Sequence, residues 1–313
     1  MKIQIVTNID NRAGLQRDYE LLRDLLVSFG HEVHGANVFR DQPEGHFNLN
    51  IFIETFYDGR FFGTADRNWF IPNCEWWYDD WEKYLPKIGL VLAKTPHAQQ
   101  VWQNKIGFDR VVYSAFASQD IYDPGTPKVK SFLHIAGKSE AKNTEAVIEA
   151  WKEIPHNLVV LTYGDSREGS ELVCDKVAAW AKPVPQVHHI HNCSDEQYRA
   201  WMNLCRFAVM PSLYEGYGHA LHEAFLCASI VLTTDAPPMN EFLSVDHRLL
   251  LPVDHQTPRA LVPFSYVSIE GIRHAVSRAM DMQREWDVMG KCARIAALAE
   301  NHHFTRTMKG LLG

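Results

Sequence analysis

The spacing of apolar and polar positions changes within the first few dozen residues. KIQIVTN (2–8) alternates with a period of two, whereas LQRDYELLRDLLVSFG (15–30), after Gly14, repeats its apolar residues at helical spacing until Gly30 stops it. The pattern predicts a strand, a turn and a helix. Extended pieces then begin at His31-Glu32-Val33-His34 and recur in LNIFIE (49–54), NWFIPN (68–73) and IGLVLAKT (88–95), separated by helical or looped connections. Such a rhythm marks an α/β chain whose parallel sheet is covered on both faces and takes its ligands beyond the carboxyl ends of the strands.

Periodicity stops in DPGTPKVK (123–130), where proline, glycine and lysine accumulate as in a linker. A second series follows, with strands expected in FLHIAG (132–137), NLVVLTYG (157–164), VHHIHN (187–192), FAVMPS (207–212), SIVLTT (229–234) and HRLLLPV (247–253). Helices are expected in TEAVIEAWKEI, CDKVAAWAK, DEQYRAWMNLC and GHALHEAFLC, with Ser194 as the cap of the third. Residues 268–304 read as helix throughout. The expected division is one α/β domain over 1–125, a second over 126–285, and closing helices over 286–313 that cross back onto the first. No low-complexity tract or short repeat intervenes.

The length of 313 residues suits two domains at roughly 150 residues each, and 46% hydrophobic content fills two cores. No stretch is long and apolar enough to span a bilayer, and the start, MKIQIVTNI, lacks the apolar core and cleavage site of a signal peptide. The six cysteines are scattered without CxxC spacing, and Cys205, Cys227 and Cys292 lie in apolar contexts typical of buried thiols, so a cytoplasmic protein is expected. A net charge of -7 argues against sequence-independent nucleic-acid binding. Trp69, Trp76, Trp77 and Trp81 crowd together, either as core packing or as a stacking platform for a sugar or base.

The most informative chemistry lies in PSLYEGYGHALHEAF (211–225), where a strand meets a glycine-bearing turn and then a helix. Gly216 and Gly218 let the backbone approach a ligand, and the helix beginning near His219 aims unpaired N–H groups at it, an arrangement suited to a diphosphate or sugar hydroxyls. Glu215 precedes the turn and Glu223 lies inside the helix, so both carboxylates can accept hydrogen bonds from hydroxyls at one crevice.

This stretch resembles the retaining glycosyltransferases of the GT-B fold, family four, whose E-x7-E motif is matched by Glu215 and Glu223 in EGYGHALHEA. ASIVLTTDAPPMNEF (228–242) looks like the family's following strand and turn, and HIAGKSEAKNTEAVIEAW (134–151) its phosphate-binding segment. Two Rossmann-like domains facing a cleft are the fold that the resemblance implies. It also implies that Lys138 and Lys142, after Gly137, neutralise the leaving diphosphate; the two lysines stand four apart, where the family has five. Glu223 would hold the ribose, Glu215 the transferred sugar, and Tyr217, Gly218 and His219 would offer backbone N–H groups. Ile190 would lie at the base. His219 departs from the family's aliphatic residue, which leaves the sugar open.

By the same resemblance 1–125 would be the acceptor-side domain and 126–285 the nucleotide-sugar-binding one, and in the amino-terminal half Gly14 fits the family's glycine turn against the donor diphosphate. Asn73 and Glu75 stand at the end of one strand and His97 just past the end of the next. Each is a candidate for the active site, with helix capping or support of the aromatic cluster as the alternative for Asn73 and Glu75. The chain lacks an Asp-x-Asp motif, so no metal or other cofactor is expected, only a nucleoside-diphosphate sugar, UDP- or GDP-linked, as co-substrate. A zinc site at His188, His189 and His191 is not expected, because neighbouring strand residues point to opposite faces. Other readings stay open: a nucleotide-sugar-binding module without catalysis, an epimerase or phosphorylase of the same fold, and a phage-type DNA-modifying glucosyltransferase acting on a hydroxymethylated base, with nucleic acid as acceptor.

Overall fold

In the computed structural model, which describes every residue except 12–13, 164–172 and 243, the first half builds the expected parallel sheet. Its strands are β1 (Lys2–Thr7), β2 (Glu32–Asn37), β3 (Phe47–Ile53), β4 (Ala65–Ile71), β5 (Leu90–Ala93) and β6 (Val111–Tyr113). They lie in the order β2-β1-β3-β4-β5-β6, every neighbouring pair parallel. Helix α1 (Gly14–Ser28) buries Leu15, Leu22 and Leu26 at helical spacing, and with them one charged residue, Asp18. Helix α2 (Pro96–Ile106) starts where the Thr95 hydroxyl accepts from Ala98 N at 3.1 Å, with proline in the first turn.

The second sheet contains β7 (Val129–Gly137), β8 (Leu158–Thr162), β9 (Val187–Ile190), β10 (Cys205–Met210) and β11 (Ile230–Thr233). Its order is β11-β10-β7-β8-β9, again all parallel. Burial on both faces explains why β8 reads as an unbroken apolar run ending in Thr162. The helices are α3 (Thr144–Trp151), α4 (Val173–Ala181), α5 (Asp195–Leu204) and α6 (His219–Leu226). After them come an antiparallel hairpin of β12 (Val253–Thr257) and β13 (Phe264–Val267), then α7 (Ile269–Asp281) and α8 (Trp286–Leu312).

Two compact units result. One holds Met1–Ser118, Pro258–Pro263 and Glu300–Gly313; the other holds Gln119–Thr257 and Phe264–Ala299. Each has its own apolar core. In the first unit Phe52, Phe56, Phe70, Trp77, Trp81 and Trp102 pack together, so Trp77 and Trp81 are core residues. Trp69 is buried as well, whereas Trp76 is at the surface with the Arg259 guanidinium 5.1 Å from its ring. No described helix is long and apolar enough to cross a membrane.

Two expectations need correction. HRLLLPV (247–253) is not a strand of the sheet: His247–Leu249 is a 3-10 turn capped by Asp246, Leu251 makes an isolated bridge to Thr234, and Val253 opens the hairpin strand β12 opposite Val267. Leu249, Leu250 and Leu251 form an apolar run because all three are buried, not because they pair along a ladder. Cys292, expected inside, is exposed, while the other five cysteines are buried free thiols. Gly164, the last residue of the expected NLVVLTYG strand, lies outside the described residues.

Candidate functional site

The site in the second unit is assembled from two loops. The chain leaves β10, turns through 211–218 and enters α6 at Gly218, whose φ of +89° belongs to glycine. A Cβ there would stand 3.1 Å from Leu221 Cδ1 and 3.4 Å from Glu215 Cγ, so the same glycine makes room for the Glu215 side chain. The second loop follows β7 through Gly137, φ +60°, into a short 3-10 turn, Glu140–Lys142. A backbone bond from Leu213 N to Ala141 O, 2.8 Å, joins the two loops.

That junction sets Lys142 against Glu215. Lys142 Nζ donates to Glu215 Oε1, and the Ser212 hydroxyl donates to the same oxygen at 2.6 Å. Both side chains are mostly buried, at 22% and 12% exposure, so the pair is shielded from bulk water and ordered before any ligand arrives. Lys138 and Gly137 lie on the same loop, both half-buried.

Beneath this loop His134 is fully buried on β7. Its Nδ1 lies 2.7 Å from the Val209 carbonyl and therefore carries the proton, leaving Nε2 to accept from the Thr144 hydroxyl at 2.9 Å. Burial first, and then the nearby Lys142 charge, push its pKa down to about 4, so it is a neutral strut between β10 and the start of α3.

Glu223 is buried on α6, where Oε2 accepts from the Tyr198 hydroxyl of α5. Helix α5 is set by a capping box of Ser194 and Gln197, with 3.2 Å from Gln197 N to the serine hydroxyl. Tyr217 is buried among His219, His222 and Phe242, and half-exposed His219 opens α6. Ile190 ends β9 half-buried. Beside it, His189 Nε2 lies 2.8 Å from Thr162 Oγ1, and burial, with His191 adding to it, lowers the His189 pKa. Among the described residues no group of three histidine, cysteine or acidic side chains could hold a metal ion.

In the first unit, Gly14 is exposed at the start of α1, and Glu75 is buried in the turn Cys74–Trp76. His97 sits in the first turn of α2, its pKa lowered by burial. Asn73 belongs to a network that sequence reasoning missed. Its Nδ2 donates to Glu54 Oε2 at 2.7 Å, its Oδ1 accepts from Lys94 Nζ at 3.0 Å, and Lys94 also donates to Asp18 at 2.6 Å. Lys94 and Asp18 are almost wholly buried. Burial pushes the Glu54 carboxyl up to about 7, against the opposing pull of the Asn73 bond and the Lys94 charge. Ser212, Tyr198 and His134 were also missed. Of these, His134 carried a signal, a polar residue inside an apolar strand run.

Residues 124–262 match the family described as glycosyl transferases group 1, a little under half the chain. A stretch of 160 residues is 28% identical to a serotype-specific mannosyltransferase, WbdA, of Escherichia coli, covering 50% of this chain and 20% of that protein. The chain thus aligns with about a fifth of that relative's length. Among solved structures, a glycosyltransferase of Rickettsia africae superposes with a TM-score of 0.75 at 12% identity, covering 99% of this chain and 97% of the other. Sucrose-phosphate synthase of Thermosynechococcus elongatus gives 0.74 at 13% identity, covering 99% and 98%. Two Rossmann-like parallel-sheet domains with such neighbours make the fold GT-B.

Proposed function

We propose that the chain is a retaining glycosyltransferase that moves a hexosyl group from a nucleoside-diphosphate sugar to a hydroxyl acceptor without a metal ion. The observation that carries this reading is the Lys142–Glu215 pair, a cation and a carboxylate from separate loops brought to one point beside the amino end of α6. In this reading the donor diphosphate takes Lys142 and Lys138, and the sugar hydroxyls take Glu215. The first N–H groups of α6, with Tyr217, Gly218 and His219, face the phosphate. Glu223, oriented by Tyr198, receives the ribose hydroxyls, and Ile190 lies at the base.

The bond from the anomeric carbon to the β-phosphate oxygen breaks, and the acceptor oxygen bonds to that carbon on the same face. The acceptor proton passes to the departing phosphate. The lysines and helix N–H groups offset the charge that develops there, and no side chain need act as nucleophile. The mannosyltransferase relative favours mannose as the sugar, with UDP or GDP as carrier. A cytoplasmic setting belongs to the same proposal, since all six cysteines are free thiols.

The test is a screen of purified protein against uridine, guanosine and adenosine diphosphate sugars, with and without EDTA, read by nucleotide release. At least one donor should turn over, EDTA should leave the rate unchanged, and Glu215→Ala or Lys142→Ala should lower it about 100-fold or more. Wild-type rates in both variants would refute the assignment.

A further inference from the structure

Sheet one presents, at the carboxyl end of β3, a loop whose backbone is held in unusual conformations. Within six residues Glu54, Tyr57 and Gly59 have φ of +67°, +52° and +73°, two of them side-chain-bearing residues in the left-handed region. Such conformations cost free energy and persist where the surroundings enforce them, often at ligand sites. What this loop holds in place is a carboxylate and an aromatic ring.

Glu54 is half-buried, with Oε2 fixed by Asn73 and no hydrogen bond from a described residue to Oε1. The Lys94 cation behind Asn73 is already paired with Asp18, so Glu54 is met by the neutral Asn73 amide rather than by a cation. A phosphate or carboxylate would set oxygen against oxygen there, which is unfavourable, and no metal-binding group of three exists among the described residues. A hydroxyl, which can donate to Oε1, fits. Three residues on, Tyr57 is 45% exposed and stands edge to face with Phe39, itself 46% exposed, at 5.0 Å between ring centroids. The Cα atoms of Glu54 and Tyr57 are within about 10 Å of one another, the reach of three residues.

We propose that this rim of the first unit is a carbohydrate subsite, in which Glu54 Oε1 accepts a hydrogen bond from a ligand hydroxyl and the Phe39–Tyr57 pair covers a C–H face of the sugar ring. The subsite takes neutral glycosides and rejects the phosphates of a nucleic acid. That its ligand serves as the acceptor rests on the transferase reading above.

Methyl α-mannopyranoside, methyl α-glucopyranoside and methyl α-galactopyranoside, offered to the full chain at millimolar concentration, serve as probes by saturation-transfer NMR. At least one should receive saturation from the wild type. Glu54→Gln, which keeps the shape and the bond from Asn73, and Tyr57→Ala should each weaken its binding about tenfold, with UDP or GDP affinity within about twofold of wild type as the check on folding. The proposal is overturned by silence of all three glycosides, by undiminished binding in Glu54→Gln, or by displacement of the glycoside with a single-stranded oligonucleotide. Nucleotide release from the donor panel is scored on the same preparation. Release without glycoside binding sinks the subsite alone, and glycoside binding without release sinks the transferase reading alone.

Discussion

Glu54 is a single side chain that makes stability depend on pH. Its folded pKa is raised from 4.5 to about 7, chiefly by burial, with Asn73 and Lys94 opposing and Asp18 adding to the rise. A raised carboxyl pKa means that the folded state binds the proton more tightly than the unfolded chain. That stabilisation is complete below pH 4.5 and is lost as pH climbs through 7. Glutamine mimics the protonated form at every pH, so Glu54→Gln should come within about 1 kcal/mol of the wild type near pH 5 and exceed it by about 3 kcal/mol at pH 8. Urea midpoints at the two pH values check this; equal midpoints at both would show that Glu54 is not desolvated. Gly218 is the second such residue. With φ at +89° and Leu221 Cδ1 3.1 Å from any added Cβ, Gly218→Ala should cost about 1–2 kcal/mol in a melt. It should also slow nucleotide release, because the loop that carries Glu215 has to shift to relieve the strain at position 218.

Elements were legible in proportion to how far local pattern decides them. Ser194 before Asp195 announces α5 because a capping hydroxyl needs only its own neighbours, and the capping box with Gln197 is present. Ser194→Ala should therefore cost about 1 kcal/mol, read from the thermal midpoint. It should also loosen Tyr198, four residues into the same helix, and so weaken nucleotide binding. Helix α2 was harder to see because Thr95 and Pro96, good start signals, follow directly on an apolar strand. HRLLLPV misled because an apolar run records burial, and burial can come from a turn beside a neighbouring strand as readily as from a ladder. Within the candidate site, the glycines of EGYG mark where the chain must bend, which is local. That Ser212 and Lys142 share one oxygen of Glu215 depends on the Leu213–Ala141 bond between distant loops, which no spacing reveals. Lys94 was hidden for a related reason: a lysine at the end of a strand usually reads as solvated, and only the fold supplies Asp18 to bury it.

At the scale of the whole molecule, the first unit is completed by the last residues of the chain. Helix α8 belongs to the second unit as far as Ala299 and to the first from Glu300 onward. In the first unit Phe304 and Met308 are buried, and Phe304 packs on Phe116 at 4.6 Å between centroids. The Asn301 side chain donates to Ser118 O at 3.0 Å and accepts from Ser118 N at 3.1 Å, so one amide holds both backbone groups of Ser118. Removing one large buried side chain costs about 3–5 kcal/mol, a large share of a typical domain stability of 5–15 kcal/mol. A chain ending at Ala299 should therefore lose the fold of its first unit, seen as a red shift in the emission of Trp77, Trp81 and Trp102, which lie in that unit's core. The loops that bear Lys142 and Glu215 belong to the other unit, so UDP or GDP affinity should stay within about twofold of the full chain. Phe304→Ala makes the same test without deletion and should shift the tryptophan signal to lower denaturant. If nucleotide binding fell together with that signal in both variants, the two units would be one cooperative structure, and the division of labour between them would have to be abandoned.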